Sequence, residues 1–171
     1  EDFCKGGKNF LNIVRKDGNF DNLFFPVLSL CKNHRKINMS ILMPYSDALY
    51  NLSFWYRQLW GESIGKKRKG ITPINALGTV DQHSQLQLYL DGPRDKLFYV
   101  LSSDLTSDKK INSNKLDKEF KYLNNKSLNQ IKNAQKNSFL QNLKKKQIPF
   151  REFKIRSNDE QTLGELFSYF I

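Results

Sequence analysis

The chain is poor in the residues that build metal centres and disulfide frameworks. Its 171 residues hold two cysteines, Cys4 and Cys31, and two histidines, His34 and His83. The cysteines form neither a CxxC motif nor a framework, and with two histidines at unmatched spacing they cannot assemble a zinc site. P-loop and GxGxxG patterns are missing too, so neither a metal nor a nucleotide cofactor is expected. No stretch of eighteen or more apolar residues exists, which excludes a membrane-spanning helix. Residues 1–20 mix charged and apolar side chains and carry no export signal. The expectation is therefore a cytoplasmic protein with reduced thiols.

Acidic residues are also scarce. Seventeen Asp and Glu stand against 28 Lys and Arg, a net charge of +11. Such a balance favours anionic partners: nucleic acid, acidic membranes or phosphorylated small molecules. The charges are scattered, however, except at Lys66–Lys69 and Lys144–Lys146, and the chain is rich in Asn and Ile. Compositional drift with a solvated basic surface accounts for this better than a nucleic-acid patch. Neither a nucleic acid nor a membrane is an expected partner.

What is present is ordinary globular material. The chain is 39% hydrophobic and 26% charged, enough to fill one core and too short for two. Residues 1–171 are read as a single domain. The chain opens without Met and stops at "LFSYFI", inside an apolar helical pattern with no cap. Both features suggest a piece of something longer.

Periodicity outlines the elements. "CKGGKNFLNIVRK" and "DNLFFPVLSLCKNHRK" read as helical stretches split by the turn "KDGN". "KINMSILMP" is a buried strand, with Met39, Ile41 and Met43 on one side. Asp47 is expected to cap a helix through Leu49, Leu52, Tyr56, Leu59 and Trp60, ending at Gly61–Gly65. "INALG" is a short strand or extended piece. Asp81 is expected to start the next helix, which "DGP" stops. "DKLFYVLSS" and "IPFREFKI" are further strands. The polar residues 104–125 read as a loop or exposed excursion. A basic helix spans 127–147, and Ser157 with Glu160 forms a capping box for the last one. Strands alternating with helices give an α/β fold: a three-layer α-β-α sandwich around a mainly parallel sheet. Ligands in such folds gather at the carboxyl ends of the strands, here after Met43, Leu77 and Leu101.

Two residues invite a chemical reading. His34 lies among basic side chains and reads as surface. His83 falls in the first turn of a predicted helix, where the positive dipole end disfavours imidazolium and leaves a neutral ring able to exchange a proton. From position alone, a helix-start histidine satisfied by the local backbone is the favoured reading. Glu62, in "QLWGESIGK", follows an aromatic helix and precedes the lysine run. It can be a surface charge, a partner for the lysines, or a working base. Held against Trp55 or Trp60, with Gly61 and Gly65 allowing tight packing, its carboxyl would have the raised pKa that a base needs.

Together, "FWYRQLWGESIGK" and "GITPINALGTVDQHSQLQLYLDGPRDK" resemble the glucose-6-phosphate isomerase (phosphoglucose isomerase) family, in its bacterial branch. "LMPYSDAL" and "IPFREFKI…DEQTLGELFSYF" fit the same family. The resemblance is dense over residues 37–101 and patchier over 104–150. It implies a sugar-isomerase (SIS) domain of Rossmann-like type, the greater part of the second of two such domains. The implied reaction interconverts glucose 6-phosphate and fructose 6-phosphate through a cis-enediol, a step of glycolysis and gluconeogenesis. By the same resemblance Glu62 is the catalytic base, His83 assists ring opening, and Gln58 contacts the substrate. A homodimer is implied, with the histidine supplied across the interface. The phosphate-binding loop, an enediolate-steadying arginine and a late lysine would lie outside residues 1–171. The competing readings are a non-catalytic SIS module that binds a sugar phosphate and, on charge alone, a nucleic-acid-binding module.

Overall fold

The computed structural model describes residues 1–16, 37–103, 109–112 and 117–171. Four strands, β1 (Met39–Pro44), β2 (Thr72–Asn75), β3 (Lys96–Ser103) and β4 (Phe150–Ile155), form one sheet in the order β2-β1-β3-β4. Every pairing is parallel, with Ile41 opposite Ile74 and Phe98, and Val100 opposite Glu152. The near-continuous apolar runs have a simple cause. β3 is buried along its whole length because helices cover both faces.

The helices are α1 (Asp2–Lys16), α2 (Tyr50–Ile64), α3 (Gly78–Asp91), α4 (Leu128–Lys145) and α5 (Glu160–Phe170). Alternate strand residues feed two cores. Ile41, Met43, Phe98 and Val100 meet Tyr89 and Leu90 of α3 and Phe139, Leu140 and Leu143 of α4. Leu42, Leu97, Tyr99 and Leu101 meet Leu52 and Tyr56 of α2 and Leu166 and Phe170 of α5. The expected α-β-α sandwich is therefore present. β1 leads outward to β2, and the chain then returns across β1 to β3, so the topological switch lies between β1 and β3.

α1 lies on α5. A Cβ on Gly6 would come within 1.9 Å of the Gln161 carbonyl oxygen, and one on Gly164 within 2.0 Å of the Phe3 carbonyl oxygen. Mid-helix glycine costs about 1 kcal/mol relative to alanine. Here backbone-to-backbone contact between the two helices requires it.

Helix starts differ from the sequence reading. Asp47 caps nothing: it opens a single 3-10 turn (Asp47–Leu49), and α2 begins at Tyr50 with no side-chain cap. α5 is capped by Asp159, which accepts from the Thr162 amide at 2.7 Å, while Ser157 donates to the Asp159 carboxylate at 2.6 Å. Ser157 thus supports the cap instead of making it. Its hydrogen bond, with that from Thr162, holds the Asp159 carboxyl below the usual carboxylate range. A true capping box occurs at α4, between Ser127 and Gln130. Within the expected excursion 104–125, Lys118–Leu123 forms an exposed 3-10 segment. The second expected helical stretch, with His34, lies outside the described residues.

Candidate active site

Glu62 sits in the last turn of α2, which continues through Gly61 to Ile64 with Gly65 at its carboxyl cap. Residues four apart share a helix face. Gln58 accordingly donates from Nε2 to Glu62 Oε1 at 3.1 Å. Both are exposed and line an open groove of about 650 Å³ with Phe54, Trp55, Arg57 and Gly61. Arg57 stands over the Phe54 ring, 5.1 Å from its centroid, and donates to Asn75 Oδ1 at 3.0 Å. Asn75, the last residue of β2, in turn donates to the Tyr50 hydroxyl at 3.4 Å. Sequence reasoning does not single out Arg57 or Phe54; the only available signal is their helical spacing from Gln58 and Glu62.

The tryptophans serve the core. Trp55 stacks on Phe167 at 3.8 Å between centroids, and Trp60 packs on Tyr56 at 4.9 Å. Glu62 is exposed, not enclosed by indole. Gly61 is not a packing requirement either, since a Cβ there meets nothing within 4 Å. After the helix, Lys67 and Arg68 adopt left-handed backbone, with φ of 54° and 60°, and Gly70 has φ of 113°. At Gly70 a side chain would also press on the Ile64 carbonyl oxygen at 2.8 Å, which makes glycine obligatory there.

His83 is placed differently. α3 starts at Gly78, so His83 lies in the second turn and not the first, and the helix-start field fades beyond the first turn. Asp81 does not open the helix but braces it. Its Oδ2 accepts from the Leu77 amide at 2.6 Å and its Oδ1 from Gln85 Nε2 at 3.2 Å. Gln82 accepts from the Tyr45 hydroxyl through Oε1 and donates through Nε2 to the Gln135 carbonyl at 3.2 Å. Burial pushes the Tyr45 phenol well above its ordinary pKa, so it remains a donor at physiological pH. His83 itself is exposed.

Connectivity separates the two candidates. α2 links the end of β1 to the start of its parallel neighbour β2, so its last turn lies at the amino ends of the strands. α3 follows β2, so its first turns lie at the carboxyl ends. The two helices also cover opposite faces of the sheet. Gln58 and Glu62 are brought together; His83 is at the other end of the domain.

Relatives of known name share this segment. A glucose-6-phosphate isomerase of Rubrobacter xylanophilus is 55% identical over 64 residues, 37% of this chain and 15% of that protein. One of Carboxydothermus hydrogenoformans is 37% identical over 144 residues, covering 78% of this chain and 31% of its own length. A Methanococcus maripaludis protein named "Probable glucose-6-phosphate isomerase" is 36% identical over 135 residues, 78% of this chain and 30% of its own length. This chain is similar to part of a glucose-6-phosphate isomerase. The matched segment spans about a third or less of those proteins. No family model matches the chain. The crystal structure of a hypothetical protein from Thermus thermophilus superposes with a TM-score of 0.83 at 24% identity, covering 99% of this chain and 42% of that one. That likeness establishes the fold.

Proposed function

We propose that this chain forms part of a glucose-6-phosphate isomerase of the bacterial type and carries two of its catalytic groups, Glu62 and His83, with a substrate-contacting residue, Gln58. The hydrogen-bonded Gln58–Glu62 pair in an open groove is the observation that supports this most directly, taken with the names of the relatives. In this reading Glu62 removes the proton from C2 of open-chain glucose 6-phosphate. The C2–H electron pair becomes the C1–C2 double bond as the C1 oxygen gains a proton. The resulting cis-enediol receives a proton at C1 from Glu62 while O2 loses its own, giving fructose 6-phosphate. One carboxylate can serve both adjacent carbons, and the reaction needs no redox cofactor. Gln58 donates to the Glu62 carboxylate and aims it while contacting the substrate.

His83 is the ring-opening group in this reading. Its distance from Glu62 across the domain supports a homodimer in which each site draws its histidine from the neighbouring subunit. The whole protein would act in the cytoplasm, in glycolysis and gluconeogenesis, and the isolated 171-residue segment would be inactive. The competing reading is a sugar-phosphate-binding module without turnover.

The test uses the full-length protein. Glu62→Gln should lower isomerisation by about 10²–10⁴-fold and leave binding of glucose 6-phosphate largely intact. Mixing Glu62→Gln with His83→Ala subunits should restore part of the turnover if sites are shared. Wild-type protein that binds the sugar phosphate without converting it would establish the non-catalytic reading instead.

A further inference from the structure

Tyr45 follows β1 at the switch between β1 and β3, and its amide donates to the Leu101 carbonyl at 2.8 Å. Its side chain is buried, with 1% of its surface exposed. The ring lies against Gly78, the first residue of α3. A Cβ there would fall 2.5, 2.6 and 2.7 Å from three ring atoms. The phenol hydroxyl reaches Gln82 in the second turn. Gln82 is anchored on its far side by the Gln135 carbonyl of α4, at 3.2 Å. One buried side chain therefore touches α3 at two points four residues apart. Together they fix how far the helix stands from the sheet and how it is rotated. The next residue is His83, whose ring makes no hydrogen bond among the described residues.

We infer that Tyr45 is a positioning residue for His83: its ring on Gly78 and its hydroxyl on Gln82 hold the second turn of α3 where the imidazole is used. This rests on the reading of His83 as a ring-opening group. The hydroxyl is not explained by core packing, which phenylalanine would supply as well. Its partner Gln82 is only half-buried, so the bond ties the outer side of the second turn to the buried Tyr45. Positioning errors far from the reacting atoms are costly: about 1 Å of misplacement can lower a rate by about a hundredfold.

The experiment uses the full-length enzyme with glucose 6-phosphate. Tyr45→Phe keeps the ring on Gly78 and removes only the hydroxyl. It should lower kcat by about tenfold with KM nearly unchanged. Gln82→Met breaks the same bond from the other side and should reproduce the loss, which covers the case in which Tyr45→Phe fails to fold. The decisive measurement is non-additivity. In a His83→Ala background, Tyr45→Phe should cost nothing further, because the route through the imidazole is already gone. Wild-type kcat in both Tyr45→Phe and Gln82→Met overturns the inference, as does a double variant whose losses multiply. If the wild type shows no isomerase turnover, or His83→Ala retains full turnover, the functional reading itself fails and this inference with it.

Discussion

The end of α2 and the start of α3 carry the two candidate chemical groups, and they are built in opposite ways. Glu62 stands on an exposed final turn, held by one side-chain hydrogen bond and followed by a left-handed basic turn. His83 stands on a turn braced from beneath by Tyr45, from the side by Gln135 and along the helix by Asp81. Among the described residues, the first arrangement leaves the carboxylate held by Gln58 alone. The second fixes the backbone and leaves the ring free to meet whatever faces it. In the proposed reading, a base that must reach two adjacent carbons tolerates the former, and a group that works at one ring oxygen benefits from the latter.

The sharpest break of this contrast is chemical. Glu62→Gln in the full-length protein should lower kcat by about 10²–10⁴-fold, measured in steady state, while calorimetric affinity for the sugar phosphate changes little. A variant with normal turnover would remove Glu62 from the reaction.

The same substitution tried in the two regions should give opposite signs. Gly78→Ala drives a Cβ into a buried ring that has no room to retreat, so unfolding free energy should fall by about 1–3 kcal/mol. Gly61→Ala adds a methyl to open space on an exposed helix and should raise it by about 0.5–1 kcal/mol. Urea unfolding midpoints report both. Equal effects at the two positions would erase the distinction between braced and open turns.

The face behind α3 and α4 adds a pH signature. Glu152 accepts from Lys136 Nζ at 2.6 Å and Ser102 Oγ at 2.9 Å. Partial burial pushes its carboxyl up, but these hydrogen bonds and the Lys136 charge outweigh it and leave the group below its ordinary range. The folded state thus binds this proton less readily than the unfolded chain. The contribution is fully present above the unfolded carboxylate pKa and is lost as pH falls through the folded value. The urea midpoint should decline in the wild type as pH falls through and below the ordinary carboxylate range, and less steeply in Glu152→Gln. The smallest effect concerns Tyr89, whose buried hydroxyl has no hydrogen-bond partner among the described residues. Tyr89→Phe should leave the thermal midpoint unchanged or slightly higher, because no bond is lost.

Strands are the most legible part of the sequence. β1 and β3 are buried on both faces, so their apolar runs have one structural explanation. Helix starts are least legible, because a side chain of capping type does not reveal which amide is open. Asp81 shows this: it braces the Leu77 amide from inside the helix instead of opening it. The Gln58–Glu62 pair can be read from spacing, since four residues of helix bring them together. The separation of Glu62 from His83 along the strand direction follows from the alternation of strands and helices, but their placement on opposite faces depends on the order β2-β1-β3-β4, which spacing does not reveal. Tyr45 is invisible for a related reason: its partners lie 33 and 37 positions away, joined only by the fold.

The close contact of α1 with α5 bears on how the molecule comes together in time. Gly6 meets Gln161, and Gly164 meets Phe3, across more than 150 positions of chain. Within these residues α1 is made before the sheet, yet it finds its main binding surface only after all four strands have been synthesised. Its docking closes the longest loop in the fold, at an entropic cost that rises only slowly with length, but it must wait for residues 160–170 to leave the ribosome. In a pulse of refolding, protection of the α1 amides should appear together with that of α5 and after that of β1 and β3.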